Sequence, residues 1–275
     1  MTVVIAGCGD VGTEAGLRYV DAGRSVLGLR RSPQVLPDSF GSQAIDLSAE
    51  VPVLPPDTEI VVLATSAAGR SEEAYRAAYV DTALNMLTAI ERGCDRPPRV
   101  LFISSTAVYD VDDGSRVDED TPARPATPTA SLMLDAENTL RGALDDVVVL
   151  RLGGIYGPGR GRLIKDAQLG RVTAGVQFTN RIHRDDAAAA IVHLTSIPAS
   201  EPLYLGVDDD PAERAEVIGF IATELGLPPP PATIGRASGK RCDNGRLHAT
   251  GFEFAYPTYR EGYRAVLASH GVRHR

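Results

Sequence analysis

Thr2-Val3-Val4-Ile5-Ala6-Gly7-Cys8-Gly9-Asp10-Val11-Gly12 begins as a continuous apolar run and turns abruptly glycine-rich, with Gly16 four residues further on. An apolar run of this length suits a strand buried on both faces. A GxGxxG spacing directly after such a strand, opening a helical pattern, has a specific physical use. Gly7 permits a tight turn, Gly9 lets backbone amides approach a pyrophosphate, and Gly12 allows the helix to pack closely on the strand. Asp10 and Val11 stand between them, at the positive end of the helix. A dinucleotide site is the expectation, against the alternative of a glycine-rich turn without a ligand.

Which dinucleotide depends on the end of the second strand, where an acidic residue would bond the adenosine ribose. The chain instead reads Leu29-Arg30-Arg31-Ser32. Two guanidinium groups offer charge and bidentate donors to a 2′-phosphate. NADP(H) is therefore the preferred cofactor and NAD(H) the alternative, which would leave one or both arginines as solvated surface charges.

Further along, Ser25 to Leu29, Glu59 to Ala64, Arg99 to Ile103 and Val147 to Leu152 repeat the short apolar pattern. Between the later ones, Ser71 to Arg92 reads as a long helix, capped by Ser71 and stopped by Gly93. Thr129 to Arg141 reads as another, closed by Gly142. This alternation predicts an α/β Rossmann core, a doubly wound parallel sheet of about seven strands with right-handed crossovers, over residues 1–152. Residues 153–275 are expected to form a smaller, interleaved C-terminal substrate lobe. It contains helices near Arg162 to Leu169 and Asp185 to Leu194, a strand from Leu203 to Val207, and closing helices from Asn244 to Ala249 and Pro257 to Ser269. Asp210-Pro211-Ala212-Glu213 has the order of an N-cap, a proline at N1 and a glutamate at N3, predicting a helix to about Leu225 that the run Pro228 to Pro231 ends.

Composition narrows the function classes. The 275 residues are 43% hydrophobic, enough for one large core and a small second lobe. A net charge of −8 and an isoelectric point near 5.2 disfavour nucleic acid and anionic membranes as partners. Cys8, Cys94 and Cys242 lie far apart without CxxC spacing, and the five histidines form no HExxH pattern, so neither a disulfide framework nor a metal is expected. The start of the chain lacks the basic region and cleavage site of a signal peptide, and no apolar stretch has the length of a membrane span. A cytoplasmic protein with a small-molecule substrate is the expectation.

Several segments together resemble the extended short-chain dehydrogenase/reductases, the NAD-dependent epimerase/dehydratase family, and more closely their atypical members. Beside the glycine loop these are Asp46-Leu47, Leu63-Ala64-Thr65, Ser104-Ser105-Thr106-Ala107-Val108-Tyr109, Arg151-Leu152-Gly153-Gly154-Ile155-Tyr156-Gly157-Pro158-Gly159 and Arg181-Ile182-His183-Arg184-Asp185-Asp186. The resemblance covers nearly the whole chain. It implies that Asp46 and Leu47 contact the adenine end of the cofactor, that Ala64, Thr65 and Ser104 line it, and that Ser105 is the serine that orients the substrate oxygen. It also implies a homodimer through Ser71 to Arg92 and Thr129 to Arg141.

In that family a YxxxK pair completes the proton relay: Tyr and Lys at i and i+4 share one helix face, and the ammonium lowers the phenol pKa. This chain has Thr129 and Met133 there, in a register fixed by the following Asp135-Ala136-Glu137. None of its nine tyrosines is followed by lysine at the fourth position, and its only lysines are Lys165 and Lys240. Three readings follow. Another acid or base serves, with Tyr109, Tyr156 and His183 as candidates from segments that border the family's substrate pocket; such tyrosines are more often packing residues that end a strand, and such a histidine more often a satisfied pocket wall. Alternatively the chain is a cofactor-binding redox sensor or partner-binding module. The third reading is turnover of substrates that need only hydride transfer and solvent protons. Arg160 and Arg162, with Arg171 and Arg184 nearby in sequence, are candidates to clamp an anionic substrate group such as a nucleotide-sugar phosphate or a carboxylate, or else solvated loop residues.

Overall fold

The computed structural model describes residues 1–171, 176–229 and 234–268. The expected helix end at Ser269, the histidines His270 and His274, and Pro230 and Pro231 of the proline run lie outside those residues.

Seven strands form the main sheet: β1 (Thr2–Ala6), β2 (Ser25–Arg30), β3 (Gly41–Ala44), β4 (Thr58–Leu63), β5 (Arg99–Ser105), β6 (Val147–Leu152) and β7 (Leu203–Gly206). Their order is β7-β6-β5-β4-β1-β2-β3. The pairs β1 with β2, β1 with β4, β2 with β3 and β4 with β5 are parallel. This is the expected Rossmann α/β sheet. Every residue of β1 and β6 is buried, as two-sided coverage requires of continuous apolar runs. The edge strand β3 has the polar sequence Gly-Ser-Gln-Ala, mostly exposed, and carries no hydrophobic signal by which the sequence would show it. Strand order reverses at β1, whose neighbours are β2 and β4; in open α/β sheets such a switch point is where ligands bind.

The helices are α1 (Asp10–Asp21), α2 (Glu72–Tyr75), α3 (Thr82–Gly93), α4 (Pro128–Ala143), α5 (Arg162–Gln168), α6 (Arg184–Ser196), α7 (Arg214–Glu224), α8 (Gly245–Ala249) and α9 (Tyr259–Ala268). The expected helix from Ser71 is capped as read, the Ser71 hydroxyl accepting from the Ala74 amide at 3.2 Å. Its middle differs from expectation, because Arg76–Asp81 winds as a π-helix between α2 and α3. Two threonine hydroxyls donate to carbonyls there, Thr65 to Ala78 at 2.6 Å and Thr82 to Ala77 at 3.1 Å.

Four boundaries are corrected. Gly93 and Gly142 are helical rather than terminal, with Cys94 and Leu144 as the extended caps. Helix α4 starts earlier than expected, with Thr127 capping it and Pro128 in its first turn. Ala212–Glu213 is not helical: both residues pair antiparallel with Thr179 and Phe178, so α7 starts at Arg214 without a side-chain cap.

The chain divides into two compact units, Met1–Val108 with Ala123–Arg151 and Ala188–Tyr204, and Tyr109–Pro122 with Leu152–Ala187 and Leu205–Arg275. The first holds the glycine-loop end of the sheet. Its last segment is tied in by side chains: Tyr19 and Thr195 share a buried hydroxyl bond of 2.5 Å, and Arg99 reaches the carbonyls of Thr195 at 3.4 Å and Pro198 at 3.3 Å. Of the small residues on α2 to α3, Ala83 is fully buried within the chain, while Leu84 is 49% exposed. The second unit is built on short strand pairs. Gly154–Tyr156 runs parallel to Arg181–His183, and Val176–Thr179 lies between Ala212–Glu213 and Ala237–Gly239. Its core gathers Tyr156, Val217, Ile218, Ile221, Tyr259 and Tyr263. Among the described residues no helix is long and apolar enough to cross a membrane.

Candidate functional site

At the C-terminal end of β1 the chain folds back on its neighbours. The amides of Gly7 and Cys8 both donate to the Leu29 carbonyl of β2, at 3.0 and 3.1 Å, and the Ala64 amide after β4 donates to Ala6 at 2.8 Å. Gly7 has φ +79°, and a Cβ there would stand 2.6 Å from the Thr65 side chain and 2.7 Å from its backbone. Only glycine meets both demands. A Cβ on Gly12 would lie 2.9 Å from the Ile5 side chain, so this glycine sets the contact of α1 with β1. Above Gly9, by contrast, a Cβ would meet only the Gly7 carbonyl at 3.8 Å. Gly9 caps α1 without a side-chain bond, and the next residues, Asp10 and Val11, begin its first turn. Amides of a first helical turn have no acceptor inside the helix. Open space over Gly9 beside those amides is what a pyrophosphate requires.

Around this loop the charged residues take different positions. Arg30, partly buried, donates from its guanidinium to the Cys8 carbonyl at 3.0 Å, which binds the end of β2 to the glycine loop. Arg31 is exposed. Asp46 accepts from the Ser48 hydroxyl at 2.7 Å and its amide at 3.1 Å; those bonds, with the charge of Arg31, hold its carboxyl below the usual range. Leu47 is buried, and its carbonyl accepts from the Asn85 side chain at 2.9 Å. Burial pushes the Cys8 thiol up to about 11, so it remains protonated near neutral pH.

The end of β5 carries the two serines. Ser104 is buried, and its hydroxyl donates to Glu137 of α4, which Arg151 of β6 grips through both carboxylate oxygens at 3.0 and 2.6 Å. Ser105 is less buried; its hydroxyl accepts the Ala107 amide at 3.1 Å and keeps its own proton to donate. The turn at Thr106–Val108 packs against α4. Thr129, in the first turn of α4, shares a hydroxyl contact of 3.1 Å with Thr127, and Met133 is buried. The Glu137 and Arg151 network was not singled out as a site by sequence reasoning, although both residues stand in the segments that carry the resemblance.

The remaining candidates stand in the second unit. The Tyr156 ring stacks on Tyr263 at 4.5 Å and meets His183 edge-on at 5.3 Å. Its hydroxyl presses on α9, where a Cβ at Gly262 would stand 1.9 Å away, and burial raises its pKa beyond physiological range. His183 is buried, and its Nδ1 lies 3.2 Å from the Asp185 amide and 3.8 Å from its carboxylate. Tyr109 is buried with its carbonyl accepting from Lys240, whose pKa burial lowers. Arg160 and Arg162 are exposed, the first with its amide bonded to Gly157 at 3.0 Å and the second opening α5. Thus the structure gathers Gly7, Gly9, Gly12, Thr65 and Arg30 around one loop, Ser104, Ser105 and Thr129 around β5 and α4, and Tyr156 with His183 in the second unit. Tyr109 stands with Lys240. Among the described residues no three of His, Cys, Asp and Glu gather as a metal site.

Comparison with known proteins accords with this geometry. A solved protein from Methylobacillus flagellatus, named as an NAD-dependent epimerase/dehydratase, is 36% identical, with 98% of each chain covered and a TM-score of 0.83. The human epimerase family protein SDR39U1, solved with NADPH, shares the fold at 20% identity and a TM-score of 0.78, over 98% of this chain and 99% of that one. A curated Streptomyces protein, 3-diazoavenalumate denitrifying reductase, is 31% identical over 182 residues; the match spans 56% of this chain and 58% of that protein's length. The family model for the NAD dependent epimerase/dehydratase family matches residues 46–200, and the chain belongs to that family.

Proposed function

We propose that the chain is an NADP(H)-dependent reductase acting on a small, anionic substrate. The observation that carries the cofactor is the glycine loop: open space over Gly9, the first-turn amides of α1 beside it, and Arg30 bonded to the loop from the end of β2. In this reading Gly7, Gly9 and Gly12 shape the pyrophosphate site, and Ala64, Thr65 and Ser104 border the cofactor. Asp46 and Leu47 stand at the adenine. Arg31, exposed beside Arg30, reads the 2′-phosphate, while Arg30 fixes the loop and adds charge. NADPH bound there supplies a hydride. The NADPH of the human structure and the reductase name of the Streptomyces relative support NADPH and reduction over epimerisation.

In this reading the Ser105 hydroxyl orients the substrate. Arg160 and Arg162 are exposed residues that would attract an anionic group. Tyr156 and His183 serve as packing residues of the second unit in this reading. The phenol is buried against α9, and the imidazole Nδ1 faces Asp185. A redox-sensing module is the second reading, favoured by Thr129 and Met133 at the relay positions.

Calorimetric titration tests the cofactor. NADPH should bind more tightly than NADH, and Arg31→Ala should weaken NADPH by about tenfold while leaving NADH unchanged. Equal loss for both cofactors, or binding of neither, would sink the assignment. NADPH binding without consumption across carbonyl, conjugated and cationic acceptors would favour the sensor.

A further inference from the structure

A guanidinium inside a protein ordinarily has a carboxylate against it, because a buried charge without a partner is costly. Arg181, in the second unit, is 3% exposed, and its Nη1 has no hydrogen-bond partner. Its Nη2 donates to the Thr179 hydroxyl, a neutral group, and its Cζ lies 5.3 Å from the centre of the Tyr259 ring. The Asp208 amide donates to the Arg181 carbonyl at 2.6 Å, yet the two side chains leave Nη1 and the Asp208 Oδ2 both without a partner. Burial pushes that carboxyl up and favours its neutral form, which does not cancel the guanidinium charge.

The strand pair beside it shows what shares the space. Gly154–Tyr156 runs parallel to Arg181–His183, with Arg181 opposite Gly154 and His183 opposite Tyr156. Opposed residues, and residues two apart on a strand, point to one face. Arg181, His183, Gly154 and Tyr156 therefore share a face. The Tyr156 ring packs between His183 and Tyr263, but its buried hydroxyl has no partner. Opposite Arg181 the face is open: Gly154 is exposed, and a Cβ there would meet only the Asn180 carbonyl, at 3.4 Å. A guanidinium N–H and a phenol O–H thus stand unused on one face, beside a glycine with space above it.

We infer that Arg181 and Tyr156 form a binding site for a small monovalent anion, entered over Gly154, in which Nη1 and the phenol hydroxyl both donate to the ligand. The donors set its class. One positive charge and two donors match a carboxylate, whereas a dianion brings charge that a single buried guanidinium leaves uncompensated. A free ion such as formate and the carboxylate of a larger molecule share this chemistry. The inference stands apart from the cofactor reading, and no cofactor enters its test.

Thermal melts of the full chain at fixed pH and ionic strength test it, with sodium HEPES, whose sulfonate is too bulky for the site, replaced stepwise by sodium formate, benzoate or sulfate. Formate should raise the melting temperature along a saturable curve, by about 3 °C or more at about ten times its Kd. Sulfate should bind at least about tenfold more weakly. Benzoate as tight as formate or tighter assigns the site to the carboxylate of a larger molecule; weaker benzoate assigns it to a free ion. Arg181→Met should abolish the formate effect. Tyr156→Phe should weaken formate by about tenfold, with the anion-free melting temperature near that of the parent. A rise that does not saturate, that is equal for all the salts, or that survives in Arg181→Met overturns the inference. Arg181 is buried, so where Arg181→Met does not fold, unchanged formate affinity in Tyr156→Phe overturns it instead.

Discussion

Two buried charged clusters in this molecule are built on opposite terms. In the first unit, Glu137, Arg151 and Ser104 form a linked set in which the carboxylate accepts from a hydroxyl and twice from one guanidinium. In the second, the Tyr156 hydroxyl, one Arg181 nitrogen and one Asp208 oxygen are buried without a hydrogen-bond partner, although the three groups feel one another's charge. A satisfied buried network fixes geometry, and an unsatisfied one costs stability that some other gain offsets. The contrast separates a rigid support for β5, α4 and β6 from a lobe whose interior retains polar capacity.

Breaking the first cluster should cost most. Glu137→Gln takes the carboxylate charge from the buried Arg151 guanidinium, for a loss of about 3–5 kcal/mol in denaturant titration. A loss below about 1 kcal/mol would mean that water already reaches the pair.

The second cluster responds through pH. Burial raises the Asp208 carboxyl well above its ordinary value, against the opposing pull of Arg181. The folded state therefore holds that proton more tightly than the unfolded one. Its contribution is present below the unfolded pKa of about 3.9 and is lost as pH rises toward the folded value. Asp208→Asn keeps an acceptor for the Asp210 amide and should raise stability near neutral pH by on the order of 1 kcal/mol, with the gain vanishing near pH 4. Thermal melts at both pH values would read this. A loss at neutral pH would instead show Asp208 ionised and held by Arg181.

Tyr156→Phe should have the smallest effect, within about 0.5 kcal/mol or slightly stabilising, since it removes a hydroxyl that has no partner. A larger loss in the same melts would reveal a bond to ordered water and bring the two clusters closer in kind.

How much was legible in the sequence follows from the same physics. Strands β1, β2, β4, β5, β6 and β7 show as apolar runs because both sheet faces are covered. The glycine loop shows because Gly7 and Gly12 answer steric demands that no other residue meets. β3 did not show, since a polar edge strand is held by backbone bonds that leave no side-chain signature. Ala212 and Glu213 misled because a capping pattern is local, while their pairing with Phe178 and Thr179 is decided over thirty residues away in the chain. Within the candidate site, residue types were readable and their commitments were not. The sequence lists Ser104 and Ser105 side by side, but only the fold reveals that one hydroxyl is spent on Glu137 and the other is available to donate.

The π turn at Arg76–Asp81 sets the phase of everything after it. Such a turn holds one residue more than the α turn it replaces, and one residue is about 100° of rotation. Ala83, Met86 and Ile90 of α3 face the core, and Leu84 faces out, because of that insertion. The helix thereby carries two registers on one axis, with Thr65 and Thr82 holding the seam between them.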